Sequence, residues 1–131
     1  MRILLDTHIA IWAINDDKKL NAPARKIINN PDAAIMISAV SIWEIAIKHA
    51  LGRARDDAVP FTGADALKIF RQFDFEMIDI VPEHAAMIEE LAPIHGDPFD
   101  RLLVAQAMHE GLTLLTHDQT LSAYGDFVQV V

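Results

Sequence analysis

A chain of 131 residues with 52% hydrophobic side chains is long enough to bury a core of its own and fits one domain spanning 1–131. The absence of cysteine excludes disulfides and thiolate metal sites and suits a reducing cytosol. Eleven basic against nineteen acidic side chains give a net charge of −8, which argues against a nucleic-acid partner held by Lys and Arg alone; either the acids are scattered or some converge on a cation that reverses the local sign.

The amino terminus reads "MRILLDTHIAIWAIND", and Asp6 follows only three consecutive apolar residues. Neither a signal peptide nor a membrane span is expected there, and the chain reads as cytoplasmic. "RILLD" is a short strand ending in an acid, and "HIAIWAIN" follows with helical spacing. "NAPARKIINN" opens a helix with Asn21 as cap and a proline in its first turn. "AAIMISA" is a second buried strand, and "SIWEIAIKHALG" a helix closed by Gly52. The polar loop "RARDDAVPFTG" leads to the helix "TGADALKIFRQF", capped by Thr62. "EMIDIV" is a strand, and "PEHAAMIEELA" a helix begun at Pro82. After the loop "PIHG" come the helix "DPFDRLLVAQA", the strand "TLLT", a short turn or helix "DQTLSAYG" and a last strand "FVQVV". Continuous apolar strands alternating with helices predict an α/β fold, a parallel sheet covered on both faces.

In such a sheet the loops leaving the carboxyl ends of the strands gather along one edge, where ligands bind. Asp6 ends the first strand, Glu44 lies one turn into the helix after the second, Asp100 one turn into the helix before "TLLT", and Asp118 just beyond that strand. Each acid also has a purely structural reading. Ser41 and Glu44 match a capping box, Asp97 with Pro98 and Asp100 match a helix start, and Asp118 fits the cap of the short helix after it. Jointly the four are harder to explain that way. Two like charges about 4 Å apart repel by roughly 4 kcal/mol at an effective dielectric of about 20, so four carboxylates in one crevice need compensation. A divalent cation supplies it, and an all-oxygen donor set suits magnesium or manganese better than zinc. Clusters of this kind support metal-assisted phosphodiester hydrolysis.

"LLDTH" with Asp6, "SAVSIWEIAIK" with Glu44, "DPFDRLLVAQA" with Asp100 and "LLTHD" with Asp118 resemble the motifs of PIN-domain ribonucleases, and in particular the toxins of VapBC-type toxin–antitoxin modules. The resemblance covers nearly the whole chain, and the order and spacing of the four motifs are more specific than any one of them. It implies a three-layer α/β/α sandwich, Mg²⁺- or Mn²⁺-dependent endonuclease cleavage of RNA, homodimerisation and neutralisation by a small antitoxin. Carried over by position, Asp6, Glu44, Asp100 and Asp118 are the metal-holding, catalytic acids, with Thr7 and Thr116 as supporting hydroxyls. On this reading Asp97 caps the helix near the metal and Asp100 is the ligand, while Arg101 pairs with an acid, meets a substrate phosphate or is simply solvated. Two other readings stand beside it: another Mg²⁺-dependent phosphoryl-transfer enzyme, and a non-catalytic PIN-like protein that binds RNA or partners. "DTH" lacks the second aspartate that a dehalogenase-type phosphatase carries two residues on.

The remaining features are less specific. His117 neighbours Asp118, and Lys48, Arg53 and Arg55 form a small basic group that either guides RNA or solvates a loop. Trp12 and Trp43 sit among isoleucines at helical spacing and are expected in the core. A solvent-facing part of "HIAIWAIN" or "AAMIEELA" would suit an amphipathic antitoxin segment.

Overall fold

The structure, a computed structural model, describes residues 1–51 and 59–131. Five strands, β1 (Arg2–Leu5), β2 (Ala34–Ser38), β3 (Glu76–Ile78), β4 (Thr113–Thr116) and β5 (Val128–Val130), form one sheet in the order β3-β2-β1-β4-β5. Every neighbouring pair is parallel, with Leu4 opposite Met36 on one side and Leu114 on the other. Between the strands run the helices α1 (Thr7–Asn15), α2 (Ala22–Ile28), α3 (Ala39–Leu51), α4 (Gly63–Gln72), α5 (Pro82–Met87) and α6 (Pro98–Glu110), with 3-10 turns at Ile88–Glu90 and Gln119–Tyr124.

The strands read as unbroken apolar runs because both faces of the sheet are covered. Ile3, Leu5, Ile35, Ile37 and Leu115 turn to one face and pack with Ile9, Ile45 and Phe70. Leu4, Met36 and Leu114 turn to the other and pack with Leu103, Val104 and Leu121. This is the α/β/α sandwich expected. Among the described residues no helix is long and apolar enough to cross a membrane.

Caps appear where short polar side chains precede an apolar periodic run. Asn21 Oδ1 accepts from the Ala24 amide at 3.0 Å, and Thr62 Oγ1 from the Asp65 amide at 3.1 Å. Three expectations are corrected. The helix from Pro82 ends at Met87 and tightens into a 3-10 turn rather than running to Ala92. The strand "EMIDIV" pairs only over Glu76–Ile78, since β2 offers partners no further than Ser38. The helix after β2 starts at Ala39, not after Ser41, so Ser41 lies inside it and is no cap. Gly52, Arg53 and Arg55, and most of the loop they begin, lie outside the described residues.

The crossing of α3 and α4 is tight enough to demand glycine. A Cβ on Gly63 would stand 2.9 Å from Ala46 Cβ and 3.3 Å from the Ile42 carbonyl. Gly63→Ala is therefore expected to lower stability by about 1–3 kcal/mol through overpacking. Adding Ala46→Gly should recover part of it in denaturant melts. Full stability of the single variant would show the crossing to be looser than this.

Candidate metal centre

The chain passes from β1 to β2 to β3 on one side of the sheet and fills the other with β4 and β5. The ligand-binding crevice of such a sheet opens where the direction reverses, here between β1 and β4. Asp6 and Thr116 leave those two strands side by side. The Thr116 hydroxyl donates to Asp6 Oδ2 at 2.6 Å and accepts from the Asp118 amide at 3.0 Å. Asp6 stands at the amino end of α1 but spends no side-chain bond on capping it. Its Oδ1 is buried with no hydrogen-bond partner among the described residues. Burial raises the Asp6 carboxyl, and the neighbouring Glu44 adds to the rise against the opposing Thr116 hydrogen bond and the nearby His8.

Glu44 is only 1% exposed, held in place by α3. The capping-box reading fails for it, because Ser41 Oγ instead meets Thr7 Oγ1 at 2.8 Å and ties α3 to α1. Glu44 Oε2 accepts from Lys48 Nζ at 2.6 Å, one turn along, while Oε1 is buried without a partner among the described residues. Burial works to lower the Lys48 ammonium, but the Glu44 bond and the charges of Glu44, Asp97 and Asp100 outweigh it and carry it above its usual value.

Asp97 is the cap of α6. Its Oδ1 accepts from the Phe99 amide at 2.8 Å and the Asp100 amide at 3.3 Å. Asp100, a turn inward, faces the other acids. Its carboxyl is pushed up to about 8, first by burial and then by the charges of Asp6, Asp97, Glu44 and Asp118. Asp100 and Asp118 lie with His95 in one cluster, and Asp6 and Glu44 are near enough for their charges to act on Asp100. Asp118 combines both sequence readings: Oδ1 caps the following turn through the Thr120 amide and hydroxyl, and Oδ2 faces the site. Burial works to raise its carboxyl, but the bonds from Thr120 and His95 prevail and lower it.

Sequence reasoning missed His95, passed over as loop. Its Nε2 lies 2.9 Å from Asp118 Oδ2 and 3.5 Å from Asp100 Oδ2. Its Nδ1 accepts from the Asp97 amide at 3.0 Å, so the ring proton is on Nε2 and points at the two carboxylates. His95 thus serves as a donor that orients the acids. It is not available as a neutral-imidazole metal ligand, which would need the proton on Nδ1. The cluster His84, His109 and Glu110 fails on the same ground. His84 Nδ1 accepts from the Val81 amide at 3.1 Å, and its Nε2–H is given to Glu110 at 2.8 Å, which holds the Glu110 carboxyl below its usual value.

Other expectations change. Arg101 donates to the Ile88 carbonyl at 3.1 Å and, among the described residues, pairs with no acid. Its guanidinium anchors the 3-10 turn. His117 donates from Nδ1 to the Val131 carbonyl and sets its ring edge against Trp12. Trp43 is 49% exposed, not core, and meets Phe99 edge-on.

The donor chemistry fits a divalent cation. Two buried carboxylate oxygens without partners among the described residues are costly unless something positive binds them. Lys48 neutralises one of the four acids and a proton another, Asp100, where a divalent cation would take the proton's place.

Residues 3–126 match the PIN domain family. The chain is 30% identical over 125 residues to the ribonuclease VapC22 of Mycobacterium tuberculosis, covering 93% of this chain and 91% of that protein. It belongs to the PIN-domain family, among the VapC-type ribonucleases. Its fold is similar to VapBC2 of Rickettsia felis, solved with a promoter DNA fragment, at TM-score 0.70 and 19% identity, covering 100% of this chain and 98% of that one. It is likewise similar to M. tuberculosis VapC20, described as a toxin that cleaves the sarcin–ricin loop, at TM-score 0.64 and 16% identity, covering 94% and 95% of the two chains.

Proposed function

We propose that this chain is a Mg²⁺- or Mn²⁺-dependent endoribonuclease, the toxin of a type II toxin–antitoxin pair, acting on RNA in the cytoplasm. The observation that carries the site assignment is the pair of buried oxygens, Asp6 Oδ1 and Glu44 Oε1, without a partner among the described residues, beside an Asp100 that burial first and the neighbouring carboxylates second raise to about 8. The ribonuclease activity rests on the VapC22 relative. A small cognate antitoxin is supported by the toxin–antitoxin complexes of like fold, and a homodimer by the motif resemblance.

Asp6, Glu44, Asp100 and Asp118 would hold the cation. Bound there, it supplies Lewis acidity towards the phosphodiester and the attacking water. The protein's own part is orientation. Thr116 fixes Asp6 Oδ2 and so leaves Oδ1 free. Thr7, through Ser41, tethers the helix that carries Glu44. Asp97 orders the first turn of α6 and thereby presents Asp100. His95 donates to Asp118 and stands close to Asp100, holding both against their mutual repulsion.

Protein freed of metal should leave single-stranded RNA intact in EDTA and cut it once Mn²⁺ or Mg²⁺ is in excess. Cleavage undiminished by EDTA would overturn the assignment.

A further inference from the structure

Among the described residues Lys48 is the one lysine or arginine bonded to any of the four acids, through Glu44, and the ribonuclease reading leaves it without a task. Its ammonium holds Glu44 Oε2 at 2.6 Å, although Glu44 is buried and Lys48 itself is 28% exposed. A buried carboxylate alone would be strongly disfavoured, so an internal counter-ion stabilises the metal-free fold. It also sets a positive charge on the same carboxylate whose other oxygen, Oε1, would face a divalent cation. A cleft of about 460 Å³ opens beside this pair, lined among others by Thr7, Trp12, Asp17, Lys19, Glu44 and Lys48. The lysine stem is long and flexible, so a released ammonium can swing into that space while remaining next to the acids.

We propose that Lys48 is a displaceable counter-ion: it competes with the divalent cation for Glu44 and, once displaced, its ammonium meets a phosphate of the RNA in the adjoining cleft. The second half rests on the ribonuclease reading, and the first does not. Competition follows from charge, since an ammonium and a divalent cation sharing one carboxylate repel enough to weaken metal binding by on the order of tenfold. The phosphate contact follows from reach and sign: in the cleft Lys19 stands with Asp17 and Lys48 with Glu44, so only an ammonium released from Glu44 adds a positive charge that a phosphate can meet.

The test is Mn²⁺ titration calorimetry on metal-free wild type, Lys48→Gln and Lys48→Arg, with steady-state cleavage of a single-stranded RNA by each. Lys48→Gln is expected to bind Mn²⁺ about tenfold more tightly and to show a KM for RNA raised several-fold, with a weaker dependence of KM on salt. Lys48→Arg, which keeps the charge, should stay near wild type in both. General damage to the fold does not tighten metal binding, so the calorimetry separates this role from a merely structural one. Mn²⁺ affinity unchanged or lowered in Lys48→Gln overturns the competition, and an unchanged KM overturns the phosphate contact. Should wild type not cut RNA at all, the ribonuclease reading and the phosphate contact fall, while the calorimetry still decides the competition.

Discussion

Asp100→Asn is expected to lower Mn²⁺-supported RNA cleavage by about a thousandfold or more while leaving the metal-free fold as stable as wild type or more so. The amide keeps the size of the side chain but removes a charge that the cation needs. It also removes the carboxyl that burial and four neighbouring acids push up to about 8. Asp97→Asn should be mild on both counts, because asparagine caps as well as aspartate, whereas Asp97→Ala should cost about 1 kcal/mol of stability through the lost cap. Cleavage rates and melting temperatures of the variants in one buffer check this. Loss of cleavage in Asp97→Asn with retention in Asp100→Asn would reverse the two roles.

The second large effect is stabilisation by metal that grows with pH. Asp100 in the folded protein keeps its proton up to about 8, against an ordinary value of 3.8. Between those values the folded state binds a proton that the unfolded state has released, so the stability of the metal-free protein falls as pH rises through this window. The raised Asp6 carboxyl acts in the same direction. A divalent cation takes the place of the proton and favours the ionised carboxylates, so its affinity rises with pH. Mn²⁺ at a hundred times its dissociation constant stabilises by about 2.7 kcal/mol, or roughly 10 °C in Tm for a domain of this size. Melts at pH 6 and pH 8.5 should show the smaller shift at the lower pH. A shift that is absent at both, or larger at pH 6, would mean that the carboxylates do not share a cation.

The cap at Asp97, with Asp100 a turn inward, was legible in the sequence because Pro98 marks the first helical position and so fixes the register of both acids. The sheet was legible for a similar reason: unbroken runs such as "RILL" and "TLLT" suit only strands buried on both faces. Glu44 was ambiguous, since Ser41 and Glu44 have the spacing of a capping box. What settles that point is the start of α3 at Ala39, which sends the Ser41 hydroxyl to Thr7. His95 was not legible at all. It lies in a loop without periodicity, and its role arises only when that loop brings it to an aspartate 23 positions away. Trp43 shows the limit of helical spacing as a guide to burial. Its position matches an apolar face, yet the turn of α3 leaves it at the surface against Phe99.

The most direct test is a crystal of the protein grown or soaked with Mn²⁺ and measured for anomalous scattering at the manganese edge. The expected result is a peak among the carboxylates of Asp6, Glu44, Asp100 and Asp118, with Asp6 Oδ1 and Glu44 Oε1 turned towards it and Lys48 withdrawn from Glu44. A peak at His84, His109 and Glu110 instead, or none at millimolar Mn²⁺ with Lys48 still seated on Glu44, would contradict a shared cation at the four acids.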